Sequence, residues 1–251
     1  MGKYLHLNLI IICMCLASHA LAVNGISEEA APAGMTESFD RVQVTFIVNK
    51  GQIDNKEAAY FARLKDGYIY IDKKGMITYA FTSPAKQGIV INEIVSEKKI
   101  SVTPLEPPPQ QAVAFMRQKG QLIGDNLNYY RLSYGAIHNG IELQLMAFTD
   151  NLEKIFTISP GGDPGSIAVK LKDVKGLKVN DAGALEILTK QGPVNFSPPH
   201  AYQFNGEERK PVDVAYIIRK DDAYGFKLGG YDKAKPLFIA PLVPTFLLSA
   251  P

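Results

Sequence analysis

Gly67-Tyr-Ile-Tyr-Ile-Asp72, Lys73-Lys74-Gly75 and Met76-Ile-Thr-Tyr-Ala-Phe81 decide the fold class. Aromatic and β-branched residues fill both arms, and a polar turn with glycine joins them, which is the pattern of a β-hairpin. The same style extends in both directions. Val42, Val44 and Phe46 alternate with Gln43 and Thr45 as in a half-buried strand. Residues 60–64, 89–95 and 100–103 read as further strands. Residues 104–111 (PLEPPPQQ) cannot form a central strand, because proline donates nothing to a ladder. They mark a stiff loop or an internal boundary.

The second half repeats the theme. Residues 141–148 and 152–158 flank Thr149-Asp150-Asn151, and Pro160-Gly-Gly-Asp-Pro164 is a turn cluster. Residues 177–179 and 184–188 flank Asn180-Asp-Ala-Gly183. Tyr202-Gln-Phe204 and residues 212–219 flank a loop that starts at Asn205-Gly206 and runs to Pro211. Residues 224–231 and 237–243 close the series. No stretch has a helical period and no repeat of fixed length is present. The expected fold is all-β, an antiparallel β-sandwich over residues 41–243, built as one sandwich or as two packed sub-sandwiches.

The amino terminus reads as an address. Lys3, an apolar run over residues 5–16 and Ala20-Leu21-Ala22 form a secretory signal peptide over residues 1–22, cleaved after Ala22. Cys13 and Cys15 leave with it, so the mature chain has no disulfide and must be held by its core. Residues 23–40 read as a flexible leader, and 244–251 as an apolar tail. The expected location is secreted: periplasmic, cell-surface or extracellular, with no transmembrane span after cleavage. The net charge of +2 over 251 residues is no nucleic-acid footprint.

Several short motifs, in order, resemble a bacterial domain that precedes SBBP-type β-propeller repeats in large surface or secreted proteins. They are Phe46-Ile-Val-Asn-Lys-Gly-Gln52, Tyr60-Phe-Ala-Arg63, Asn128-Tyr-Tyr130, Gly140-Ile-Glu-Leu143, Leu152-Glu-Lys-Ile-Phe156, Ser159-Pro-Gly-Gly-Asp-Pro164, Gly229-Gly-Tyr-Asp232 and Lys235-Pro-Leu-Phe-Ile239. This chain has Ile137-His-Asn-Gly-Ile-Glu142 where that domain has Tyr-Pro-Gly-Ile-Asp. It has Ile239-Ala-Pro241 in place of Ile-Asp-Pro, and it ends at Pro251 without the propeller. The resemblance implies an all-β extracellular module and carries over no site residue.

The chemistry is sparse. His138, read as lying in the 137–140 turn, and His200, before a strand, are the mature chain's histidines. With no cysteine beside them they make no zinc set, and no metal site is expected. Asn180-Asp181-Ala182-Gly183 with Glu186 has calcium-loop letters at the wrong spacing. No nucleophile elbow and no phosphate-binding loop is present, so no cofactor is expected. Glu142, Asp150, Glu153 and Asp163 cluster around one hairpin, with Glu142 and Glu153 placed to face each other across it. That leaves a carboxylate-dependent hydrolase as a minor alternative. Lys170, Lys172, Lys175 and Lys178 form a basic stripe, read as a solvated face or an anionic-polymer contact. Tyr68, Tyr70, Tyr129 and Tyr130 are the candidate ligand-binding residues, because tyrosine rings can stack on sugars. The expected function is a secreted, non-catalytic module with a structural or interaction role at the cell envelope, its partner a protein or glycan. A carbohydrate- or polymer-binding module is the alternative.

Overall fold

The computed structural model describes residues 42–82, 88–108, 116–118, 121–123 and 127–244. The expected signal peptide, the leader, residues 109–111 of the proline-rich segment and the tail beyond residue 244 lie outside the described residues. The first strands are β1 (Gln43–Val44), β2 (Phe46–Val48), β3 (Ala58–Leu64), β4 (Gly67–Asp72), β5 (Ile77–Thr82), β6 (Gly88–Ile94), β7 (Thr103–Leu105), β8 (Met116–Gln118) and β9 (Gln121–Ile123). Next come β10 (Asn128–Tyr129), β11 (Arg131–His138), β12 (Ile141–Phe148), β13 (Asn151–Ile158), β14 (Val169–Lys172), β15 (Gly176–Val179), β16 (Leu185–Thr189) and β17 (Gly192–Phe196). The chain ends with β18 (Ala201–Asn205), β19 (Glu208–Val212), β20 (Val214–Arg219), β21 (Ala223–Leu228), β22 (Leu237–Ile239) and β23 (Leu242–Pro244).

The fold is all-β and sandwich-like, with antiparallel pairing. One large sheet runs β19-β18-β22-β13-β12-β11-β7, with β1 also on β12 and β23 also on β13. The other runs β10-β2-β3-β4-β5-β6-β14-β21-β20. Both draw strands from either side of residues 104–111. A smaller sheet joins β15, β16 and β17, and β8 pairs with β9. Alternation decides which face each strand buries. Ile69 and Ile71 of β4, Ile77 and Tyr79 of β5, and Ile89 and Ile91 of β6 point inward from the second sheet. Ile141, Leu143 and Leu145 of β12, with Leu152, Phe156 and Ile158 of β13, do so from the first. They merge into one apolar cluster, and burial of such side chains contributes about 1.5–3 kcal/mol each.

The quoted hairpin forms as expected. Asp72 Oδ1 accepts from the backbone N–H groups of Lys74 (2.7 Å) and Met76 (2.8 Å), and Gly75 supplies the positive φ of 85° that the turn needs. At the other end of β4, Gly67 lies so close to β5 that a Cβ there would sit 2.1 Å from the carbonyl oxygen of Ala80. Gly67→Ala is therefore expected to cost about 1–3 kcal/mol through forced displacement of the strand. An unchanged urea midpoint would show that β4 and β5 can separate freely.

Five local expectations are corrected. Residues 42–46 do not form one strand: the chain leaves the first sheet after Val44 and enters the second at Phe46. The strand expected at 100–103 is β7, Thr103–Leu105, and Pro104 is accommodated because β7 is an edge strand. His138 ends β11 rather than lying in the turn. Residues 208–211 are not a loop: Asn205 pairs with Glu208, and β18 returns as β19 through the two-residue turn Gly206-Glu207. Residues 237–243 hold two strands, β22 and the start of β23, separated at Ala240 and Pro241.

Candidate functional site

The four candidate tyrosines do not share one platform. Tyr68 and Tyr70, two positions apart on β4, stack with ring centroids 5.8 Å apart and planes 10° from parallel. They occupy the outer face of the second sheet, opposite inward Ile69 and Ile71. Tyr129 pairs with Phe46, a fully buried residue, and so belongs to the inner face, where it neighbours Tyr60. The backbone N–H of Tyr130 donates to the Glu106 carbonyl (3.0 Å) as the chain passes to β11.

Among the carboxylates, Glu142 pairs with Thr157 and Glu153 with Met146. The two therefore do not face each other: their strand positions are four residues apart, about 13 Å at about 3.3 Å per residue. Glycosidase carboxyl pairs lie roughly 5–10 Å apart. Asp163 caps a short 3-10 turn by accepting from the Gly165 N–H at 2.9 Å.

The lysine stripe divides. Lys170 and Lys172 lie on β14 of the second sheet, whereas Lys178 lies on β15 of the small sheet, paired with Glu186 at 3.0 Å. Lys172 instead joins a cleft of about 710 Å³ formed by the β4–β5 turn, the end of β6 and residues 95–100. Met76, Ile94, Val95 and Ile100 give it an apolar lining, and Lys74, Lys98, Lys99 and Lys172 bring four cations against Asp72 and Glu97. The Asp72 carboxylate is already engaged by the turn. His138 stands beside Lys98; burial first, and then the Lys98 charge, hold its imidazole below the ordinary histidine range. Ser96 fixes the cleft to the first sheet by donating to the Ile137 carbonyl at 3.3 Å. An apolar hollow with a few convergent polar groups is the usual form of a ligand site.

A second constellation lies inside the sandwich. Glu93 of β6 and Lys154 of β13 are both fully buried, and Lys154 Nζ lies 2.7 and 2.9 Å from the two carboxylate oxygens. Lys154 also donates to the Tyr224 hydroxyl (2.6 Å), which donates to Glu93 Oε1 (2.7 Å). The Tyr79 hydroxyl donates to Glu93 Oε2. Phe196 places its ring 4.8 Å from Nζ. Burial pulls the Lys154 ammonium below the ordinary lysine range while Glu93 pulls it back. Burial, and next the Glu93 charge, push the Tyr79 and Tyr224 phenols well up.

Neither constellation was singled out from the sequence. The cleft is built from separated segments, and nothing local joins them. The ion pair did leave a signal: Glu93 follows Ile89 and Ile91, and Lys154 lies between Leu152 and Phe156, so opposite charges stand in the apolar register of two strands.

Comparison with known proteins matches residues 46–242 to the family described as domain of unknown function (DUF7948). No curated protein matches, and no solved structure does.

Proposed function

We propose, for a chain that belongs to the DUF7948 family, a secreted and non-catalytic role: a β-sandwich module that holds an anionic polymer of the cell envelope in the lysine-rimmed cleft. The observation that carries this reading is the convergence of Lys74, Lys98, Lys99 and Lys172 over an apolar floor. Cations on flexible stems beside a hollow attract a polyanion at long range and hold it through many weak contacts. The signal-peptide pattern and the resemblance to a domain that precedes propeller repeats support the extracellular setting. The stacked Tyr68–Tyr70 pair favours a second reading, in which neutral sugar rings lie on the outer sheet face.

Titration of the mature protein against acidic and neutral polysaccharides separates the two. Lys98→Glu with Lys99→Glu is expected to weaken acidic-polymer binding at least about tenfold, or about 1.4 kcal/mol. The wild-type affinity is expected to fall as salt is raised. Binding of neutral glycans abolished by Tyr68→Ala would move the site to the tyrosine pair. No binding of either class sinks the polymer reading.

A further inference from the structure

We infer that Lys154 and Glu93 condense into an intramolecular amide that covalently joins the two large sheets. The geometry holds the nucleophile against both oxygens of the acyl group it would attack. Nζ lies 2.7 Å from Oε1 and 2.9 Å from Oε2, with both side chains at 0 % exposure. Intramolecular partners that reach an aligned attack geometry react at effective concentrations of roughly 10⁵ M or more. The surroundings are dry and aromatic, with Phe196 and Tyr224 facing the amine.

A buried ion pair carries a desolvation penalty for each charge. Transfer of one ammonium proton to the carboxylate leaves a neutral amine and a neutral acid. Burial favours that state by disfavouring the ammonium. The Nζ lone pair then forms the bond to Cδ. One carboxyl oxygen leaves as water, carrying the carboxyl proton and one proton from Nζ. The product is a secondary amide, and no oxidant or reductant takes part.

The two phenols have distinct places in this step. Hydrogen bonds run in one direction from Nζ to the Tyr224 hydroxyl and from that hydroxyl to Oε1. Tyr224 therefore accepts a proton from the attacking nitrogen as it gives its own to the departing oxygen. The Tyr79 hydroxyl donates to Oε2, which remains as the amide oxygen, and stabilises the negative charge it gains in the tetrahedral intermediate. The bond would span from β6 in one sheet to β13 in the other. The chain's cysteines are Cys13 and Cys15, both within the expected signal peptide, so this amide would take the place of a disulfide staple.

The denatured wild-type mature chain is expected to weigh one water less than its sequence requires. Its digest is expected to contain a branched peptide joining residues 93 and 154. Tyr224→Phe is expected to accumulate chain of full mass, because the relay is cut. A wild-type chain that keeps its full sequence mass after prolonged incubation in the folded state overturns the proposal, as does a missing water mapped to other residues. Because wild-type protein alone decides the bond, a Tyr224→Phe variant that fails to fold leaves the test intact. A folded Tyr224→Phe chain that condenses as completely as wild type overturns the relay.

Discussion

Replacing Lys154 with methionine is expected to leave the protein about 3 kcal/mol less stable than replacing Lys154 with methionine and Glu93 with glutamine together. Methionine fills the volume of the lysine stem but strands the Glu93 carboxylate among Tyr79, Tyr224 and Phe196. Removing one partner of a buried ion pair costs about 3–5 kcal/mol, chiefly because the survivor is charged and dry. Glutamine removes that charge while its amide oxygen still accepts from a phenol. Neither variant can form the Lys154–Glu93 amide, so their difference isolates the stranded charge from any cross-link. Urea unfolding of both at neutral pH gives the comparison. Equal stabilities would mean that water reaches Glu93 once the lysine is gone.

Phe156→Ala is the other large effect, expected at about 3–5 kcal/mol. Phe156 is fully buried on β13, and its ring meets that of Phe226 edge-on at 5.6 Å. Since β13 and β21 belong to different sheets, truncation opens a void between layers that neither sheet can fill alone. Leu132 and Leu143 are buried in the same cluster but belong to adjacent strands of one sheet, so the cost at Phe156 measures adhesion between sheets. A loss below about 1 kcal/mol, read by urea unfolding, would show that the layers slide together to close the gap.

Much of the strand pattern was legible because β alternation is a local signal. Tyr68 and Tyr70 fall outward and Ile69 and Ile71 inward, as the period of two requires. The Asp72 and Gly75 turn chemistry is equally local. Other strands were hidden for physical reasons. The 42–46 segment keeps its alternation across the crossing at Thr45, so no break in pattern announces that the chain changes sheets. β17 buries three consecutive positions, Val194, Asn195 and Phe196, and this blurs its period. The expectation that Glu142 faces Glu153 rested on a register one cannot read from the letters.

What the chain's own letters settle is its β character, the inward face of the regularly alternating strands and tight turns such as that at Asp72–Gly75, because these depend on residues a few positions apart. Which strands meet is a different matter. Glu93 and Lys154 are 61 residues apart in the chain and lie on strands of different sheets. Only the stacking of the layers turns two charges that each violate an apolar pattern into a closed, hydrogen-bonded pair. The lysine cleft has the same origin: residues 72–76, 94–100 and 172 become neighbours when β4, β5, β6 and β14 line up. Long-range pairing creates both constellations, and no local period encodes it.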